Sequence, residues 1–205
     1  EAVYSLGDRI LENSSTRTLA MPRKPDGIRA KAPGGDAYVA LRDRLTDLGL
    51  HTVCQEASCP NIGECWSRGT ATIMILGDTC TRSCGFCNVK TGRPPTTDLD
   101  EPRRVAKMLA ETGLRHVVIT SVDRDDLADG GAAIWAETIR QTRTTCPDLG
   151  IETLVGDFKG SPTDLQIVID AAPDIRLPVY QLHAFDSSTP AKVRLAVQAI
   201  QGNIL

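Results

Sequence analysis

The stretch "TATIMILGDTCTRSCGFCNV" (70–89) decides how this chain is read. Its first half holds an apolar run, Ile73 to Leu76, typical of a buried strand. The run leads through "GDTC" and delivers Cys80 at the strand's C-terminal end. Three cysteines, Cys80, Cys84 and Cys87, then share one short loop, with the aromatic Phe86 between the last two. In parallel α/β folds the C-terminal edge of the strands is where ligands bind.

The segments that follow repeat the pattern. After the basic turn "KTGRPP" (90–95), "DEPRRVAKMLAETG" (100–113) reads as a helix, with Pro102 in its first turn and Gly113 at its end. "HVVITSV" (116–122) is a second buried strand, and "GGAAIWAETIRQTRTTC" (130–146) a helix with Ala132, Trp135 and Ile139 on one face. "GIETLVGDF" (150–158) is a third strand. "SPTDLQIVIDAA" (161–172) is a helix with Ser161 as cap, Pro162 at its first position, and Leu165, Val168 and Ile169 on its apolar face. The order β-α-β-α-β-α predicts an α/β fold with a parallel sheet and right-handed crossovers. Polar clusters follow each strand: Cys80–Cys87, Asp123–Asp129 and Asp157–Lys159.

Upstream, "DAYVALRDRLTDLGL" (36–50) reads as a helix capped by Asp36, with Tyr38, Leu41, Leu45 and Leu48 on one face. A second thiol run, "CQEASCPNIGEC" (54–65), places Cys54, Cys59 and Cys65 in a stretch that reads as loop. It covers either the edge that bears Cys80 or the opposite end of the sheet. Residues 1–35 read as an extended linker, and Met21 is a candidate start; neither a signal peptide nor a transit peptide fits them well.

Composition narrows the classes. The chain has 205 residues, enough for one good-sized core, and 41% of them are hydrophobic. A net charge of −3 gives no reason to expect nucleic acid or a membrane surface as partner, and no apolar run would span a bilayer. Six of the seven cysteines fall between 54 and 87. Such clustering points to a metal site in a reducing compartment rather than to a disulfide scaffold.

A structural zinc site takes four ligands, often as two cysteine pairs. Cys84 and Cys87 form one pair, but no clean second pair exists. A cubane iron–sulfur cluster also prefers four thiolates, so three leave one iron open to another ligand. The spacing C-x3-C-x2-C, following a strand, is similar to the radical S-adenosylmethionine signature. The second triad, C-x4-C-x5-C within "GLHTVCQEASCPNIGECW", resembles the auxiliary-cluster motif of the lipoyl synthase family. The resemblance runs through "EPRRVAKMLAETGLRHVVITSVDRDDLADGGA" and "IETLVGDFKG" and covers about residues 23 to 175.

The resemblance implies the N-terminal part of a radical SAM partial TIM barrel, with about three βα units (70–175) after an N-terminal segment (36–69) that carries the auxiliary motif. It implies two 4Fe–4S clusters, one on Cys80, Cys84 and Cys87 and an auxiliary one on Cys54, Cys59 and Cys65. S-adenosylmethionine would chelate the open iron, with Phe86 shielding its adenine and Thr120, Ser121 and Glu152 as candidate contacts. Its reductive cleavage would yield a radical that removes hydrogen from C6 and C8 of a protein-bound octanoyl chain, and the auxiliary cluster would donate the sulfurs. The implied partners are octanoylated lipoyl-carrier domains or glycine cleavage H protein, an electron donor such as ferredoxin or flavodoxin, and iron–sulfur assembly proteins. The implied compartment is the cytoplasm, or an organelle in a eukaryote.

Other residues take plainer readings. Arg82 and Lys90 could attract a carboxylate, but solvated cations are the simpler expectation. "DRDDLADGG" (123–131) reads as a turn with a helix cap rather than a metal site. Cys146 reads as an incidental thiol, His51 and His116 as packing or hydrogen-bonding residues, and Trp66 and Trp135 as core. From Arg176 the chain matches neither the α/β pattern nor the family's later motifs. A shifted or broken reading frame is the expectation for 176–205, with one helix at 188–202 and the third strand left with an unpaired edge. Three functions compete: a lipoyl synthase, a non-catalytic iron–sulfur-binding remnant of one, and a zinc-binding structural module.

Overall fold

The computed structural model describes residues 32–85 and 87–178. Phe86, the first 31 residues with Met21, and the expected helix at 188–202 lie outside the described residues.

Helix α1 spans Asp36–Asp47 and turns its Leu41 and Leu45 inward. Its N-cap is Gly35, and Asp36 is the first helical residue rather than the cap. Two short helices follow, α2 (Val53–Glu56) and α3 (Ile62–Ser67). The alternation then runs β1 (Thr70–Ile75), β2 (Thr79–Cys80), β3 (Lys90–Thr91), α4 (Glu101–Thr112), β4 (His116–Ser121), α5 (Ala132–Thr145), β5 (Gly150–Val155), α6 (Pro162–Asp170) and β6 (Ile175–Pro178). Ser161 caps α6 by accepting the Asp164 N–H, as its position predicts.

The main sheet has the order β1-β4-β5-β6, and every pairing is parallel. Each strand is added beside the one before it, which is how a barrel wall grows. The fold is therefore the α/β parallel sheet that the alternation predicts, consistent with the part-barrel that the resemblance implies. One expectation is corrected. The third strand of the alternation, β5, has no unpaired edge, because Glu152–Val155 pair with Ile175–Pro178. The signal was too short to read: four residues, one of them charged, ending in a proline that suits only an edge strand.

Burial alternates along the strands. Ala71, Ile73, Val117, Ile119, Ile151 and Val155 pack with Val105, Met108, Leu109, Trp135 and Ile139 of the helices. Each such Val, Leu, Ile or Met side chain contributes roughly 1.5–3 kcal/mol on burial. Thr72, Val118, Thr120, Glu152 and Leu154 line the other face and are only half-buried. β4 and β5 therefore bury one face fully, whereas the run Ile73–Leu76 is buried at every residue, as expected of a buried strand. Trp66 and Trp135 are core residues, 2% and 0% exposed. Among the described residues, no helix is long and apolar enough to cross a membrane.

Candidate metal centre at the strand ends

At the end of β1 the chain reverses through Leu76 (φ 69°) and Gly77 (φ 89°), both in the left-handed region. A leucine there is strained. Two contacts hold it. The Glu101 carboxylate, at the start of α4, accepts the N–H groups of Leu76 (2.7 Å) and Gly77 (3.2 Å). The Leu76 side chain lies on the backbone of Gly131, where a Cβ would come within 2.5 Å of it. Glu101 is buried, and burial pushes its carboxyl above the ordinary value, partly offset by those two N–H groups. The sequence hides this role, since a glutamate before a proline at a helix start ordinarily serves its own helix.

The turn leads to Cys80, which lies on β2 and not at the end of β1, paired beside Thr91 of β3. Its buried sulfur accepts the N–H groups of Arg82 (3.4 Å) and Asp123 (3.3 Å). Burial outweighs these bonds and raises the Cys80 thiol pKa; burial and then the Asp123 charge do the same at Cys84. Both thiols therefore favour the protonated form, and a soft metal bound here would have to displace those protons. Cys84 is half-buried and Cys87 exposed, and the Cys87 N–H donates to the Cys84 carbonyl at 3.0 Å.

Arg82, between the first two cysteines, is not a solvated cation. Its side chain is 11% exposed and reaches Asp125 (2.6 Å), Asp157 (2.8 Å) and Asp123 (3.7 Å). Burial works against its charge, but the bonds to Asp125 and Asp157 and the field of Asp123 prevail, and its pKa rises. Lys90 is exposed and meets Asp78 at 3.5 Å. The 123–131 acids are engaged too: Asp126 binds Arg124, and Asp129 caps α5 through the N–H groups of Gly131 and Ala133. Gly156 admits Asp123, whose Oδ1 would stand 2.8 Å from any Cβ there.

The second triad is helical rather than looped: Cys54 lies on α2 and Cys65 on α3, with Cys59 between them. Thr52 caps α2 by accepting the Cys54 N–H and donates its hydroxyl to the Thr72 carbonyl at 2.6 Å. Ile62 and Trp66 are buried on α3, and Trp66 stacks on Tyr38 with ring centroids 5.0 Å apart. Such short helices depend on tertiary packing, which no local pattern reveals. The Asn88 amide donates to the Glu56 carbonyl at 2.8 Å, so α2 meets the Cys80–Cys87 loop. Glu56, between Cys54 and Cys59, thus lies beside Asn88, the residue after Cys87.

Among the described residues no three His, Cys, Asp or Glu side chains converge into a finished metal site, and no two cysteines are joined as a disulfide. The donor set nonetheless fits iron–sulfur clusters: soft thiols in threes, with main-chain N–H groups already directed at the Cys80 sulfur.

The three candidate cofactor contacts divide. Thr120 and Glu152 lie on the half-buried face, where Thr120 donates to the Leu154 carbonyl (3.2 Å) and Glu152 faces His116 (3.5 Å). The Ser121 hydroxyl turns to the helix layer and accepts the Trp135 indole N–H at 3.2 Å. Cys146 ends α5 beside a cavity of about 370 Å³ lined by Leu109, Leu114, Pro147 and Leu149. The His51 carbonyl accepts the Met74 N–H at 2.9 Å.

The family model of the Radical SAM superfamily matches residues 74–191. Curated relatives are lipoyl synthases. That of Christiangramia forsetii is 51% identical over 152 residues, 74% of this chain and 52% of its own length. That of Rubrobacter xylanophilus is 54% identical over 151 residues, covering 74% and 47%. The mitochondrial lipoyl synthase of Nematostella vectensis is 50% identical over 165 residues, covering 80% and 57%. The chain spans about half the length of the curated relatives it matches.

Proposed function

We propose, from the premise that this chain belongs to the radical SAM superfamily, that it carries the cluster-binding half of a lipoyl synthase. The observation that supports this reading best is the Asn88–Glu56 hydrogen bond, which joins the helix of Cys54 to the residue after Cys87. One triad alone suits many radical SAM reactions; two in one chain suit an enzyme that cleaves S-adenosylmethionine and inserts sulfur.

In this reading Cys80, Cys84 and Cys87 hold one 4Fe–4S cluster and Cys54, Cys59 and Cys65 the auxiliary one. When bound, the first supplies the electron that opens S-adenosylmethionine and the second the sulfur inserted at C6 and C8 of an octanoyl chain. The chain's own residues prepare the place. Glu101 sets the turn before Cys80, and the N–H groups of Arg82 and Asp123 orient its sulfur. Thr120 and Glu152 face the sheet side where S-adenosylmethionine would lie, while Ser121 contributes through Trp135. The substrate is an octanoylated carrier protein such as a lipoyl domain or glycine cleavage H protein. A ferredoxin or flavodoxin supplies electrons, and iron–sulfur assembly proteins renew the auxiliary cluster. The compartment is a reducing cytoplasm, or an organelle in a eukaryote.

Anaerobic reconstitution tests the reading. The chain should take up about eight irons with matching sulfide, two cubanes of four. In a full-length version of the enzyme, Cys54→Ala should keep 5′-deoxyadenosine formation, and Cys84→Ala should lose it. A colourless protein holding stoichiometric zinc without sulfide would overturn the proposal.

A further inference from the structure

Arg82 stands between Cys80 and Cys84, yet its side chain faces away from solvent and into the rim of the sheet. Its three carboxylate partners come from two loops: Asp123 and Asp125 follow β4, and Asp157 follows β5. The main chain repeats the connection. Thr81 donates its N–H and its hydroxyl to the Asp123 carbonyl (3.0 and 2.9 Å), and that hydroxyl accepts the Asp125 N–H (3.1 Å). Thr91 donates its hydroxyl to the Arg82 carbonyl at 3.1 Å. The loop after β5 is fastened to the loop after β4 as well. Phe158 and Lys159 hold left-handed φ of 44° and 54°, and Lys159 Nζ donates to the carbonyls of Asp125 and Leu127, both at 3.1 Å.

We infer that Arg82 is the positioning residue of the cysteine loop, its guanidinium fixing Cys80 and Cys84 against the ends of β4 and β5. The planar guanidinium has five N–H groups in a rigid fork and can serve several carboxylates at once; an ammonium cannot. Three carboxylates around one cation leave no net positive charge to recruit an anion, so the role is to hold the loop and not to bind a cofactor carboxylate. The inference deepens the proposed function, since it names what sets the cluster loop, and rests on that reading for its catalytic meaning.

The test uses the metal-free 205-residue chain, so it does not depend on cluster assembly. Iodoacetamide alkylation is followed cysteine by cysteine by mass spectrometry, with Cys146, at the far end of α5, as internal reference. Arg82→Gln should speed alkylation of Cys80 by about tenfold or more, as removing one partner of a buried ion pair frees the loop locally. Arg82→Lys should fall between. Asp157→Asn, distant in sequence from every thiol, should act in the same direction and serves if Arg82→Gln does not fold. Cys146 should stay within about twofold of its original rate. An unchanged Cys80, or Cys80 and Cys146 rising together as in general loosening, overturns the inference. A wild-type chain that fails to take up iron and sulfide refutes the cluster reading instead, and the alkylation rates still decide the role of Arg82.

Discussion

The Asn88 side-chain amide donates to the Glu56 main-chain carbonyl across 2.8 Å. These residues are 32 positions apart, and each sits beside a cysteine triad. Asn88 follows Cys87, and Glu56 ends the helix that holds Cys54.

Asn88→Ala should remove this link at a cost of about 0.5–1.5 kcal/mol. Urea unfolding of the metal-free chain measures the loss. Asn88→Asp should cost at least as much, since a carboxylate faces the carbonyl with no donor. Equal midpoints for all three proteins would show that the link does not form in solution.

Glu101→Ala should leave the N–H groups of Leu76 and Gly77 without their acceptor, at about 1–3 kcal/mol each if both stay buried. Glu101→Gln keeps one acceptor oxygen and should lie between. The pH dependence has a definite sign. Because the folded carboxyl titrates above its ordinary 4.5, its contribution is greatest below that pH and is lost as pH rises through the folded value. Relative to Glu101→Gln, the original protein should gain stability as pH falls from 7 toward about 4.5. Urea midpoints across that range check it, and a trend of opposite sign refutes the burial argument.

Asp174 should act in the opposite sense. The Ile151 N–H and then Arg143 hold its carboxyl below the ordinary 3.8. Its contribution is present above 3.8 and is lost as pH falls from there through the lower folded value. Asp174→Asn should therefore be less stable at neutral pH and show a flatter acid limb. Parallel acid limbs for the two proteins would count against it.

Gly131→Ala should be costly for two reasons. The position has φ 90°, and the new methyl would meet Leu76 Cδ1 at 2.5 Å. A loss of about 1–3 kcal/mol is expected. Adding Leu76→Ala relieves the clash, so the double variant should lose less than the sum of the single losses. Strict additivity would rule out the contact as the cause.

Much of the site was legible because its signals are local. Cysteine spacing after an apolar run marks a thiol loop at a strand end, whatever the rest of the chain does. The charges at successive strand ends, Arg82, Asp123–Asp126 and Asp157, were also visible, but their pairing was not. An arginine in a loop is ordinarily solvated, and only the closeness of the two neighbouring strand ends buries this one. Ser121 and Thr120 illustrate the same limit: adjacent in sequence, they face opposite sides of the sheet because the strand's side chains alternate.

By itself the sequence determined the α/β alternation and the two thiol triads, since periods of 3.6 and 2 and the spacing of ligands are properties of neighbours along the chain. Tertiary structure alone decided that Asn88 meets Glu56, that β6 pairs with β5, that α2 and α3 are helices, and that Glu101 and Arg82 are buried among partners. The physical reason is common to all of these. Each depends on a contact between residues far apart in the chain, and such contacts form only when packing of the core brings those segments together.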